Sequence, residues 1–334
     1  MRVALICPAP AGSRVGNRIT ALRWQRMLSV LGHRAFVATG GTSRSCDALI
    51  ALHAKRSAEA VRVSRETHPE RPLVVALTGT DLYHDIHRDL RARRSLELAG
   101  WLIVLHGRAA RELPAALRHK VRVVPQSATP LRRRPKPTAR AFEVAVVAHL
   151  RPVKDPLRTA LAARRLPAES RIQIVHAGEA LSTEMRRAAL REQRENPRYR
   201  WLGELPRWKA RRLIARARLL VVSSETEGGA NVLSEALASG TPVIATRIDA
   251  AEAILGPDYP GLFPIGGTGA LARLLSRAER EPGFLAELRS RCRARRGVVS
   301  QGREKAALRS LLLELARASR KGSGGRSRRK RSAR

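Results

Sequence analysis

The chain has 334 residues, 43% of them apolar, and its 65 Lys and Arg against 28 Asp and Glu leave a formal net charge of +37. That length is a prior for two domains of about 150 residues, and the charge favours anionic partners such as phosphates, nucleic acid or anionic lipid. Aromatics at 3% argue against bases stacking on exposed rings, and Cys7, Cys46 and Cys292, never spaced as CxxC, suggest neither a disulfide framework nor a zinc site and fit a reducing cytoplasm.

From the N-terminus, short apolar runs alternate with longer amphipathic stretches. The opening "MRVALICPAPAG" is too short and too Pro-broken for a signal peptide, and no later run approaches the roughly 18 apolar residues of a membrane span. "RVALIC", "RAFVAT", "DALIAL", "PLVVALT", "WLIVL" and "VRVVP" read as buried parallel strands, with helices over 17–31, 54–67, 85–98 and 108–118. At "TPLRRRPKPTAR", residues 129–140, prolines and bases interrupt the rhythm. The alternation then resumes with "FEVAVVAHL", "SRIQIVHAG", "ARLLVVSS" and "TPVIATR", and helices near 154–165, 183–194, 206–215, 231–239 and 268–280. The pattern is α/β: a Rossmann-like domain over 1–130, a linker over 131–140, and a second such domain over 141–316 whose last helix is placed to pack back on the first.

From Arg317 the chain runs out in "RASRKGSGGRSRRKRSAR", with nine bases, no acids and several Gly and Ser. It reads as a disordered tail, a solvated appendage or a tether to nucleic acid or membrane, and without it about +28 remains. Trp24, Trp101, Trp201 and Trp208 are dispersed and read as core or partly buried packing.

Two doubly wound domains create a central cleft, and ligands of such sheets bind beyond the carboxyl ends of the strands. The stretch "SSETEGGANVLSEALASG", 223–240, follows an apolar strand and opens a helix. Gly228 and Gly229 allow close backbone approach, the helix start suits a diphosphate, and Glu227 accepts hydrogen bonds from hydroxyls. Glu235, two turns on, is a candidate for the 2' and 3' hydroxyls of a ribose. The plainer alternative is a strand-turn-helix with solvent-facing acids.

Glu227 and Glu235, with seven residues between them and followed by "ALASGTPVIAT", resemble the glutamate pair of the retaining GT4-like nucleotide-sugar glycosyltransferases with the GT-B fold, two Rossmann-like domains facing a cleft. The resemblance implies that Glu227 contacts donor-sugar hydroxyls, Glu235 the ribose, and the backbone of Gly228, Gly229, Ala230, Asn231 and Val232 the distal phosphate. It implies that Arg151 and Lys154 of "HLRPVKDP" clamp the diphosphate and neutralise charge on the leaving nucleotide, with Arg151, Lys154 and Glu227 as the catalytic set. Gly203 and Glu204 of "WLGELP" fall where relatives receive the base edge.

A narrower set, "GNRITALRW", "ALHAKRSA", "LTGTDLYHDI", "VPQSA", "AHLRPVKDP", "LGELP", "EGGANVLSEA" and "GPDYPGLF", is similar to the selenosugar synthases of selenoneine biosynthesis. This resemblance implies a UDP-sugar donor, typically UDP-N-acetylglucosamine, selenophosphate as acceptor, and a 1-seleno-sugar as product. A small polyanion needs cations and polar donors, supplied after successive strands by Asn17, Arg18 and Thr20, by His53, Lys55, Arg56 and Ser57, and by Thr78, Gly79, Thr80 and Asp81. Asn17 and Asp81 are also good N-cap types.

The chain departs from the broad superfamily in two places. "TGTD" stands after the fourth strand where many relatives have a histidine, and "RIDAAEAILG" lacks an expected glycine-bearing segment. Asp81, His84, Asp85 and His87 tempt a metal reading, yet acids in a first helical turn equally suit the helix dipole. No DxD tripeptide occurs, so transfer without metal or other cofactor is expected. The competing readings are transfer to a hydroxyl acceptor and a basic nucleic-acid-binding protein, the latter with no helix-turn-helix, zinc-finger or RNA-motif signature.

Overall fold

The computed structural model describes residues 1–13, 15–41, 44–138 and 140–320, with the backbone of the last helix running on to Arg331. Of the tail expected from Arg317, the side chains from residue 321 onward and the whole of residues 332–334 lie outside the described residues. Two compact units emerge, Met1–Gln126 joined by the chain from Gly302 onward, and Ser127–Gln301.

The first unit contains β1 (Arg2–Ile6), α1 (Gly16–Val30), β2 (Arg34–Ala38), β3 (Ala48–Leu52), α2 (Ala58–Thr67), β4 (Leu73–Ala76), α3 (Ile86–Arg88), α4 (Leu90–Leu98), β5 (Trp101–Val104) and β6 (Val121–Val123). Its strands pair in parallel in the order β2-β1-β3-β4-β5-β6. Both faces of this sheet are covered, which is why β3 and β4 are apolar at every position. Val3 and Leu5 of β1 pack on one face and Ala4 and Ile6 on the other, the two-residue period of a strand.

The second unit contains β7 (Phe142–Val147), α5 (Arg158–Ala163), β8 (Ile172–Ala177), α6 (Thr183–Glu195), β9 (Tyr199–Trp201), α7 (Arg207–Arg216), β10 (Leu219–Val222), α8 (Asn231–Ser239), β11 (Val243–Thr246), α9 (Asp249–Leu255), β12 (Leu262–Phe263), α10 (Thr268–Arg280) and α11 (Pro282–Ala294). Its parallel order is β12-β11-β10-β7-β8-β9. The ten strands read from the apolar runs are present. The two further ones, β9 and β12, are three and two residues long, below the length at which a run signals a strand.

Several helices differ from the expected spans for local reasons. The helix expected over 85–98 is broken at Asp89, which is extended and whose carboxylate accepts the amides of Arg91 (2.9 Å) and Ala92 (3.2 Å), capping α4. The one expected over 108–118 becomes two 3-10 segments, because Pro114 lacks an N–H and holds Leu113 extended. "RIDAAEAILG" forms α9. The Pro-rich stretch from 129 is anchored on the second unit, where Arg134 donates to the carbonyls of Ala215 (2.9 Å) and Gly240 (3.3 Å). Trp208 departs from the packing expected of it, being 61% exposed with Lys209 Nζ over its ring at 5.4 Å.

The last helix, α12 (Gln301–Arg331), belongs to the first unit. Leu308, Leu311, Leu312 and Leu315 form one helical stripe on the face holding Val3, Leu5 and Trp24. Two carboxylates fasten it. Glu304, fully buried, accepts from Arg23 Nε (3.0 Å) and Trp24 Nε1 (2.8 Å), and Glu314 accepts from Arg122 Nη2 (2.6 Å) and Trp101 Nε1 (3.1 Å).

In the second unit Gly178 follows β8 so closely against β7 that a Cβ there would lie 1.7 Å from the Ala148 carbonyl oxygen. Two predictions follow from these contacts. Glu304→Ala strands a buried guanidinium and indole and is expected to cost about 3–5 kcal/mol, against a much smaller loss for the half-exposed Glu314→Ala, both read by denaturant unfolding. Gly178→Ala is expected to lower the melting temperature sharply, whereas Gly283→Ala, where a Cβ meets nothing within 4 Å, leaves it near wild type.

Candidate functional site

In the second sheet the chain builds outward from β7 to β8 and β9, then returns to place β10 on the other side of β7. The loops after β7 and β10 therefore diverge from neighbouring strand ends, the topological switch point at which doubly wound sheets bind ligands. Arg151 and Lys154 leave β7 there, and Glu227 leaves β10.

The two loops are stitched together by backbone. The Glu225 amide donates to the Val153 carbonyl (3.0 Å), and Ser223 Oγ donates to the carbonyls of Asp155 (2.8 Å) and Lys154 (3.3 Å). Asp155 adopts a left-handed φ of 42°, and Arg158 holds its carboxylate at 2.6 Å while reaching Thr268 Oγ1 at 2.7 Å. This hold brings Lys154 Nζ onto Glu227 Oε1, an ion pair with both side chains largely buried. The same Glu227 oxygen accepts from Ser224 Oγ (2.7 Å), and Ser224 is fixed through its carbonyl by Thr246 Oγ1 (2.5 Å).

Gly228, Gly229 and Ala230 are buried, and Ala230 stands at a left-handed φ of 47° directly before α8. A non-glycine residue there costs roughly 1–2 kcal/mol. The amides of Leu233 and Ser234 close on the Ala230 carbonyl, and no side chain of Ala230 caps the helix, so the leading amides of Asn231 and Val232 form its positive end.

Glu235, on the second turn of α8, is 9% exposed. It meets Arg207, the first residue of α7, whose Nη2 (3.1 Å) and Nε (3.2 Å) both donate to Oε1. Nothing in the sequence signals this partner, since 28 residues separate the two.

Arg151, Lys154, Glu179 and Glu204 all act electrostatically on His149. Burial pushes the His149 imidazole below its usual range, the two carboxylates oppose this and the two cations add to it, so the ring is neutral near pH 7. The Glu179 amide donates to His149 Nδ1 at 3.2 Å. Beneath lies His176, fully buried and pushed down to about 4 by desolvation. Its Nε2 donates to the Ala148 carbonyl (2.9 Å) and its Nδ1 accepts from Tyr199 (2.8 Å), bracing the chain that enters the Arg151 loop. Gly203, at a positive φ of 68°, accepts the Gly178 amide through its carbonyl at 2.8 Å and so stands beside this group.

The first unit has its own switch point between β1 and β3. His53 ends β3 at a φ of 76°, 4% exposed, with Nε2 3.3 Å from Thr80 Oγ1 and the carboxylates of Asp81 and Asp85 at 3.9 and 3.8 Å. Burial lowers its pKa, against Asp81 and Asp85 and with Arg56 and Lys55. Lys55 pairs with Asp85 (3.4 Å) and Asp89 (3.1 Å), and Arg56 is exposed. Thr78, Gly79, Thr80 and Asp81 follow β4 beside them.

Some of the acceptor candidates are committed to the fold. Thr20 is 1% exposed and accepts from Gln126 Nε2 at 3.0 Å, and Ser57 donates to the Leu52 carbonyl at 2.7 Å. Asp81, fully buried, accepts the amides of Gly79 (2.8 Å), Ala54 (3.0 Å) and Thr78 (3.0 Å). It thus ties the two loops together and does not cap a helix. Asn17 is not a cap either: Val15 occupies that position and Asn17 lies inside the first turn of α1 with Arg18. Arg18 acts on Cys7, whose thiol burial nevertheless pushes up. Among the described residues no three His, Cys, Asp or Glu side chains are grouped to hold a metal ion, and no helix is long and apolar enough to cross a membrane.

The comparison with curated proteins yields no match. Among solved structures the chain is similar to Anabaena Alr3699/HepE, crystallised with UDP and glucose (17% identity, TM-score 0.72, 95% of this chain and 100% of that one). It is similar also to the sucrose-phosphate synthase of Thermosynechococcus elongatus (17%, 0.75, 95% and 99%) and to a UDP-forming α,α-trehalose-phosphate synthase of Burkholderia vietnamiensis (12%, 0.73, 95% and 100%). These likenesses, with the two parallel six-stranded sheets, give the GT-B fold. The family model of the glycosyl transferases group 1 matches residues 129–296, the Lys154–Glu227 pair and Glu235 included. A match over half of the chain, spanning the whole of the second sheet, makes this protein a member of the glycosyl transferases group 1 family.

Proposed function

We propose that the second unit holds a UDP-sugar at the β7/β10 switch point, and that the first unit receives selenophosphate at its own. The observation that carries the donor half is the meeting, at one strand end, of a Lys154–Glu227 pair with the strained, uncapped start of α8. Lys154 and Arg151 supply cations for the diphosphate, and the leading α8 amides supply donors for its distal phosphate. Among the described residues both donors to Glu227 fall on Oε1, which leaves its other oxygen for sugar hydroxyls. Support for the acceptor comes from the likeness of the first unit's segments to selenosugar synthases and from Lys55 and Arg56 beside the His53 turn.

In the proposed reaction selenium attacks the anomeric carbon while the bond from that carbon to the UDP oxygen breaks and its electron pair leaves on UDP. Water then cleaves the selenium–phosphorus bond, so UDP-sugar, selenophosphate and water give the 1-seleno-sugar, UDP and phosphate. Selenophosphate is already anionic and needs no strong general base, which suits a first unit whose buried carboxylate, Asp81, is engaged by backbone amides. The charge on the leaving UDP is met by side-chain cations and backbone, and no metal is called for.

Purified protein incubated with UDP-N-acetylglucosamine and selenophosphate is expected to yield a product with the selenium isotope pattern by mass spectrometry. Arg151→Ala is expected to lower turnover about 10²-fold. Turnover only with a hydroxyl acceptor would remove the selenium assignment and keep the transferase. No binding of UDP or any UDP-sugar would remove the donor reading.

A further inference from the structure

We infer that Arg207 is a positioning residue for the donor's ribose, acting by occupying one oxygen of Glu235 and reserving the other for the 2' and 3' hydroxyls. The inference rests on the reading of Glu235 as the ribose contact and adds how that contact is prepared. Glu235 is nine-tenths buried, where a lone carboxylate is costly, and Arg207 supplies the compensating charge.

The form of the pairing is what matters. A guanidinium fork commonly takes both oxygens of a carboxylate, one bond to each. Here Nε and Nη2 both fall on Oε1, at 3.2 and 3.1 Å. A carboxylate oxygen offers two lone-pair sites, so Oε1 is filled. Among the described residues no donor reaches Oε2, which keeps two acceptor sites, the number a cis-diol fills. Glu227 repeats the pattern, with Lys154 and Ser224 both on Oε1. Arg207 also holds the rotamer of Glu235, so the ordering cost is met before the nucleotide arrives. Standing at the first position of α7, directly after "LGELP", Arg207 links the segment assigned to the base edge with the residue assigned to the ribose.

The test is calorimetry of UDP and of 2',3'-dideoxy-UDP against the full chain as wild type, Arg207→Gln and Arg207→Lys. Wild type is expected to prefer UDP by at least about tenfold, because a site built to bond a hydroxyl rejects the analogue lacking it. Arg207→Gln is expected to lose most of that preference by weakening UDP alone, and Arg207→Lys to recover part of it. An undiminished preference in Arg207→Gln, or equal weakening of both nucleotides, would overturn the inference while leaving the Glu235 reading intact. A wild type that binds the two nucleotides equally, or neither, would overturn the Glu235 reading and the inference with it.

Discussion

The site is generated by one constraint, the parallel adjacency of β7 and β10 with connections that lead away from each other. Neighbouring strands whose loops diverge leave backbone and side chains of both at a single crevice, and the crevice must be walled by irregular chain. Where that chain turns, it is strained. The three non-glycine residues with positive φ among those described are His53, Asp155 and Ala230, and each follows a strand at one of the two switch points. At the switch point of the second unit the strained turn is held by the Ser223, Arg158 and Glu225 bonds.

A second feature is how a chain of +37 deploys its few acids. The buried carboxylates among the described residues are Asp81, Glu143, Glu192, Glu235 and Glu304. Four of them meet an arginine, respectively Arg216, Arg164, Arg207 and Arg23, while Asp81 meets backbone amides. In an interior of low dielectric each such pair must be closed or the charge is ruinous. Glu143, Glu192 and Glu304 serve packing, one of them fastening α12 to the first sheet. Glu143 and Glu192 each take an arginine on both oxygens, whereas among the described residues the donors to Glu235 fall on Oε1, as do those to the less buried Glu227.

Much was legible from the residues alone. Continuous apolar runs such as "LLVV" and "LVVA" had to be strands buried on both faces, and the glycines between Glu227 and Glu235 marked the start of a helix. The helix expected over 108–118 failed because Pro114 acts through the residue before it, and the one over 85–98 failed because Asp89 preferred a cap to a helix interior. On polarity alone Thr20 and Asp81 read as acceptor contacts. Polarity does not reveal that Gln126 and three backbone amides already use them.

The sequence by itself determined the α/β alternation, the two-unit organisation and the residue types at each strand end, because periodicity and turn chemistry are local. Only the tertiary structure decided which strand ends are neighbours and which partners the carboxylates take: Lys154 with Glu227 across 73 residues, Arg207 with Glu235 across 28, and Glu304 with Trp24 across 280. Those pairings depend on strand order and helix docking, which are set by the burial of whole faces, and no spacing within a single segment encodes them.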